Sequence, residues 1–138
     1  MSQLMRAQCD EQEGRVSTVA VVIPAYNAMR YLPLTLQSVL TQTYSDFDII
    51  IVNDGSQDDI ETWYQNLSES IRAKVRLFSQ EKQGTSRARN VGIAQTKSPY
   101  VAFMDADDIW LPEKLEQQMA FMEAHPETSL VCSWAAVI

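Results

Sequence analysis

The 138-residue chain is predicted to be an α/β protein, a mostly parallel sheet with helices on both faces. Three observations lead there. Short β-rich apolar runs alternate with stretches whose apolar residues recur at helical spacing. The runs are continuously apolar, the pattern of strands buried on both faces. Three of them end in polar clusters, and in parallel α/β sheets ligands bind beyond such carboxyl ends.

The first strand is Val19–Ile23, ended by Pro24. Leu32, Leu36, Val39 and Leu40 then form a helical stripe, with Pro33 tolerated in the first turn. The second strand, Phe47–Val52, is stopped by the turn residues Asn53, Asp54, Gly55 and Ser56. Ser56-Gln57-Asp58-Asp59 has the form of a capping box with Asp in its last place. Behind it Ile60, Trp63, Tyr64, Leu67 and Ile71 line one face of a second helix. Val75–Phe78 is a short third strand, and Thr85–Thr96 a helix whose Ala88, Val91 and Gly92 allow close packing on a sheet. A fourth strand, Tyr100–Met104, runs into Asp105-Ala106-Asp107-Asp108. Pro112 opens a last helix with Leu115, Met119 and Met122 inward. Leu130–Ile138 reads as a fifth strand, and because it is apolar to its last residue the chain is expected to be cut inside or just after a core strand. Residues 1–16 read as a flexible leader.

Composition narrows the function. The length is that of about one domain. A net charge of −7 argues against nucleic acid and anionic membrane surfaces as partners. No apolar stretch reaches the roughly 18 residues of a membrane span. The first residues are too polar for a signal peptide. Cys9 and Cys132 differ in context and are expected as free thiols in a reducing compartment, so the location is read as cytoplasmic. The charge is uneven: between Arg72 and Lys97 lie seven basic residues and one acid, in an otherwise acidic chain. Such a stretch either faces a small anionic ligand or forms a solvated face.

The polar strand ends carry the chemistry. Either Asp105, Asp107 and Asp108 share a hard divalent cation, which Mg2+ and Mn2+ permit through one or two carboxylates plus phosphate oxygens, or Asp108 or Asp107 caps the helix near Pro112. Asp54 either sits in an ordinary turn or accepts a base imide N–H or a ribose hydroxyl. Tyr26 either stacks on a base or packs on the sheet rim. Arg87 and Arg89 either neutralise phosphate or make structural ion pairs. No glycine lies between Ile23 and Met29, so a dinucleotide fingerprint after the first strand is absent, as is a P-loop. His125 precedes Pro126 at a helix end and reads as a helix terminator, which leaves no base for a nucleophilic Ser or Cys.

In this order and spacing the motifs resemble glycosyltransferase family 2, inverting enzymes of the GT-A fold. The stretches that carry the resemblance are Val21–Asn27, Ile51–Asp58, Gly84 through Ala88–Ile93, and Phe103–Asp108, so the likeness covers about residues 17–138. It implies a Rossmann-like three-layer α/β/α sandwich and a nucleotide-sugar site. Asp54 would contact the base, and Pro24, Ala25, Tyr26 and Asn27 would line the nucleoside pocket. Asp105 and Ala106 would lie near the ribose, Asp107 with Asp105 would hold Mn2+ or Mg2+ on the diphosphate, and Arg89 with Asn90 would support the phosphate side. Asn53 stands where the family often has Asp, and Gln83 before Gly84 where it often has Asn. The family's general base and acceptor site follow its DXD motif, so the base is expected beyond residue 138 and the 17–138 unit is read as a donor-binding half, inactive alone.

The resemblance further implies a UDP-sugar donor, and a glycan or lipid-linked acceptor in cell-envelope polysaccharide synthesis. A full-length protein would then work in the cytoplasm or at the inner face of the membrane, alone or as a homo-oligomer. Two rival functions share the topology. One is a non-catalytic nucleotide-sugar-binding module. The other is a sugar-phosphate nucleotidyltransferase, which usually has a glycine-rich loop where Pro24-Ala25-Tyr26-Asn27 stands.

Overall fold

The structure is a computed structural model and describes residues 15–137. The expected leader over 1–16, apart from its last two residues, lies outside the described residues. The elements are β1 (Val19–Ala25), α1 (Leu32–Leu40), β2 (Phe47–Asp54), α2 (Ile60–Gln65), α3 (Glu69–Arg72), β3 (Val75–Gln80), α4 (Thr85–Ala94), β4 (Tyr100–Phe103) and α5 (Lys114–Ala124). They form a parallel sheet of order β3-β2-β1-β4. The chain steps outward from β1 to β3 and then returns through α4 to the other side of β1. The strand order therefore reverses between β1 and β4, the position where such sheets open a crevice.

Every residue of β1 is buried, as the continuous apolar run predicts. Its side chains feed two cores. Val19, Val21, Ile23 and Ala25 face α1 and α5 together with Ile49 and Ile51, while Ala20 and Val22 join Ile50, Val52 and Ala88 under α4. Helices therefore cover both faces. Pro24 does not end the strand. Met104 N–H donates to Val22 O, so even-numbered residues of β1 turn their polar groups toward β4, and β4 stops opposite Val22. At Pro24 there is no ladder partner left on that side, so its missing N–H breaks no bond.

Other expectations shift as well. β2 continues through Asn53 and Asp54, paired with Ser79 and Gln80, so the turn begins only at Gly55. The single helix expected over residues 56–71 is two: α2 ends at Gln65, and Ser68 starts α3 by accepting a hydrogen bond from Ile71 N–H. Pro112 does not open the last helix. It lies in the turn before Lys114, where its carbonyl accepts from Thr43 N–H (2.9 Å). Leu115 and Met119 are buried as expected, and Met122 is only partly covered.

The expected fifth strand is absent. Residues 130–137 form no strand, and Leu130, Trp134 and Val137 are exposed. A strand needs a ladder partner for its backbone and a layer over its side chains. This run has neither among the described residues; Ser133 meets only the side chains of α5, through Lys114 (3.0 Å) and Gln118 (3.5 Å).

Gly92 is where α4 touches the sheet, since a Cβ there would collide with the methyl groups of Val22. Gly92→Ala is expected to destabilise the protein by about 1–3 kcal/mol through overpacking, despite alanine's better helix propensity. Urea unfolding midpoints measure this; an unchanged or raised midpoint would contradict the close α4–β1 contact.

Candidate functional site

The carboxyl ends of β1, β2 and β3 are tied together by side chains of the loops that follow them. Asn27 adopts a left-handed conformation (φ 48°). Its N–H donates to Ser56 Oγ (3.0 Å) and its side-chain oxygen accepts from Gln57 N–H (2.8 Å). Met29 N–H donates to Asp58 Oδ2 (3.1 Å). Ser56 and Asp58 therefore stitch the second loop to the first; they do not cap α2, whose N-terminus has no side-chain cap. Sequence reasoning missed this stitch because a capping box and a loop-bridging pair use the same residue types.

Asp54 closes the end of β2 and is buried. One carboxylate oxygen accepts from the Gln80 amide (2.8 Å) and Gln83 N–H (2.8 Å), the other from Gly84 N–H (2.9 Å). Burial raises its pKa, but the Gln80 amide, the two N–H groups and the charge of Lys82 outweigh this, and the carboxyl lies below its ordinary value. The loop this builds comes so close that a Cβ on Gly55 (φ 75°) would stand 2.7 Å from Lys82 N. Lys82 in turn places its ammonium 3.4 Å from the centre of the Tyr26 ring, a cation–π contact. Tyr26 thus sits on the rim, half exposed, with one ring face taken by Lys82.

Beyond β4 the acidic loop turns its carboxylates outward: Asp105, Asp107 and Asp108 are exposed, while Ala106 is buried beneath them. None of them caps α5, whose N-cap is Glu113. Burial, with Asp105 and Asp107 nearby, pushes the Asp108 carboxyl up, and Lys114 opposes this. Arg89 on α4 donates to Asp105 Oδ1 (2.7 Å), the ion pair that is one of its two expected roles. Arg87 donates to the side chain of Gln83 (2.9 Å). From behind, Thr35 and Ser38 of α1 and Gln42 just past its end hold the loop by its main chain, residues that the apolar stripe gave no reason to notice. Their signal was polar spacing of three and four beside that stripe.

All three predicted clusters lie on one edge: Pro24–Asn27 at β1, Asp54 at β2 and Asp105–Asp108 after β4, with Arg89 alongside. A parallel sheet with a topological switch point between β1 and β4 and a polar, partly acidic rim beyond its strand ends defines a doubly wound α/β domain. Within that class, the chain belongs to Glycosyl transferase family 2, whose sequence model matches residues 20–138. An uncharacterised glycosyltransferase of Rickettsia bellii is 38% identical over 109 residues, 79% of this chain and 16% of that protein. TuaG of Bacillus subtilis, a glycosyltransferase provisionally named for teichuronic acid biosynthesis, is 39% identical over 75% of this chain and 41% of its own length. The chain thus spans well under half of these relatives. Among solved structures, S. aureus TarS 1-349 superposes with a TM-score of 0.70 at 27% identity, covering 79% of this chain and 33% of that one. The mannosyltransferase PcManGT of Pyrobaculum calidifontis, 20% identical with a TM-score of 0.71 over 79% of this chain and 33% of its own, shares the fold. Over the part present, the fold is that of GT-A glycosyltransferases.

The depressed Asp54 pKa has a consequence for stability. The unfolded chain takes up the proton at the ordinary value near 3.8, the folded one only below it. Stability from Asp54 is therefore complete above about pH 5 and lost as the pH falls through the folded pKa. Asp54→Asn, which leaves the Gln83 and Gly84 N–H groups competing for one oxygen, is expected to cost about 1–3 kcal/mol at neutral pH. That gap should narrow in acid. Urea unfolding across the acid range checks it, and a pH-independent gap would show that the charge is irrelevant.

Proposed function

We propose that this rim binds the nucleoside diphosphate of a nucleotide sugar, with UDP-sugar as the donor. The parent protein then transfers the sugar with inversion to a glycan or lipid-linked acceptor in cell-envelope polysaccharide synthesis. The observation that carries the reading is the convergence of Tyr26, Asp54 and the Asp105–Asp108 loop on one sheet edge, with Arg89 beside them. The solved relative TarS, 28% identical, has been crystallised with UDP-GlcNAc, and the teichuronic acid name of TuaG points to an envelope acceptor.

In this reading Pro24, Ala25, Tyr26 and Asn27 line the nucleoside pocket. Asp54 Oδ2 accepts a single bond among the described residues and so keeps capacity for a base or ribose donor. Asp105 and Ala106 lie by the ribose, and Arg89 supports the phosphate side. The carboxylate donor set fits Mn2+ or Mg2+, which bind hard oxygen ligands and let phosphate oxygens complete the shell. Among the described residues no group of three ligands converges to hold an ion unaided, so a cation on Asp107 and Asp105 would need the diphosphate to complete its shell. Such a cation supplies neutralisation of the charge that builds on the departing diphosphate. No general base is assigned within residues 15–137. Among these residues no helix is long and apolar enough to cross a membrane.

Calorimetric titration of UDP with and without Mn2+ tests the proposal. Mn2+ should tighten binding by about tenfold or more, and Asp107→Asn should abolish that gain while leaving the metal-free affinity in place. UDP binding that ignores both metal and mutation would refute it.

A further inference from the structure

We infer that Thr35 and Ser38 on α1, with Gln42 just past its C-terminal end, are positioning residues for the acidic loop, holding Asp105 and Asp107 in place through the loop's main chain. The inference rests on the reading of that loop as the cation and diphosphate holder.

All three residues are buried, at 1%, 8% and 8% exposure, along a helix and the turn that ends it, which are otherwise anchored by Leu32, Leu36 and Val39. Buried hydroxyls and amides are costly unless they are hydrogen-bonded, and these spend their bonds on the loop. The Thr35 hydroxyl lies 2.9 Å from Ala106 O and 2.7 Å from Asp108 O, donating to either. Ser38 Oγ donates to Thr35 O (2.8 Å) and accepts from Trp110 N–H (3.2 Å). The Gln42 amide donates to Leu111 O (2.7 Å) and to Ser38 O (3.1 Å), and its oxygen accepts from Leu115 N–H (3.0 Å). The clamp runs from Ala106 to Leu115 without touching a single Asp carboxylate. A helix that served only the core would place apolar residues here.

The loop needs such a hold. Three carboxylates within four residues repel one another, and Arg89 pairs with Asp105 alone. Repulsion acts on side chains that pivot on this main chain. With the main chain bonded to a core helix, the carboxylates are pre-arranged for a cation, and the cost of ordering them falls on folding instead of on binding. Groups that orient ligands in this way from behind typically alter metal affinity by about 10–100-fold when removed.

Thr35→Val, close to isosteric, tests the clamp in the full 138-residue chain. Titrated with UDP, the variant should lose about tenfold of the Mn2+-dependent affinity and keep its metal-free affinity, with Thr35→Ser restoring the Mn2+-dependent gain. Ser38→Ala, which frees Trp110 N–H, should show the same pattern and serves if Thr35→Val does not fold. Amide hydrogen exchange should quicken at Asp108 and Trp110 and stay unchanged in β1 and β2. Wild type that gains from Mn2+ with variants that gain equally overturns the clamp and leaves the donor site standing. An equal loss of metal-free and metal-dependent affinity marks a merely structural role and also overturns it. Wild type without any Mn2+ effect overturns the donor site, and the clamp with it.

Discussion

Burial of β1 from both faces is the constraint on which the rest of the molecule depends. Seven consecutive residues without solvent contact require a layer of helices on each side and a strand along each edge. Parallel neighbours then need crossover connections, and these return every strand in the same direction. The polar residues that follow β1, β2 and β4 have no choice but to share one rim. That rim exists because of the apolar core, to which only its alanines, Ala25 and Ala106, belong.

Electrostatics on the rim follows two regimes. Asp54 is buried and keeps its charge because an amide and two main-chain N–H groups aim at it. The Asp105–Asp108 carboxylates are exposed, carry far fewer bonds, and rely on their main chain for placement. Two residues of the basic stretch from Arg72 to Lys97 serve these needs, and a third pairs toward the opposite end of the sheet. Arg89 meets Asp105, Lys82 lies by Asp54 and Tyr26, and Arg76 pairs with Asp48 (3.3 Å) on the sheet edge. Exposed pairs of this kind add little stability, typically about 0–1 kcal/mol. Their worth lies in where they put charge.

Much of the fold was legible in the residues because strand and helix periods are local. Val19–Ile23, the Leu32-Leu36-Val39 stripe and the Ala88-Val91-Gly92 face all appear where their spacing places them. Most of the misses share one cause: what a distant segment supplies, or fails to supply, overrules a local signal. Pro24 stays in β1 because β4 is too short to need its N–H. Asn53 and Asp54 join β2 because Ser79 and Gln80 pair with them. The run from Leu130 fails as a strand because no ladder or covering layer meets it among the described residues.

The candidate site divides along the same line. Residue types and their order alone pointed to the family, to the parallel sheet and to the carboxylates, since a carboxylate's chemistry and a strand's apolar run need no neighbour to be recognised. Which bonds those groups make was decided only by the tertiary structure. Asp54 is committed to the Gln80–Gly84 loop, Arg89 to Asp105, Ser56 to Asn27, and the acidic loop to a polar stripe on α1 about 70 residues earlier in the chain. Hydrogen bonds join atoms within about 3 Å whatever their separation in sequence, and the sheet, not the spacing of residues, brings these atoms together.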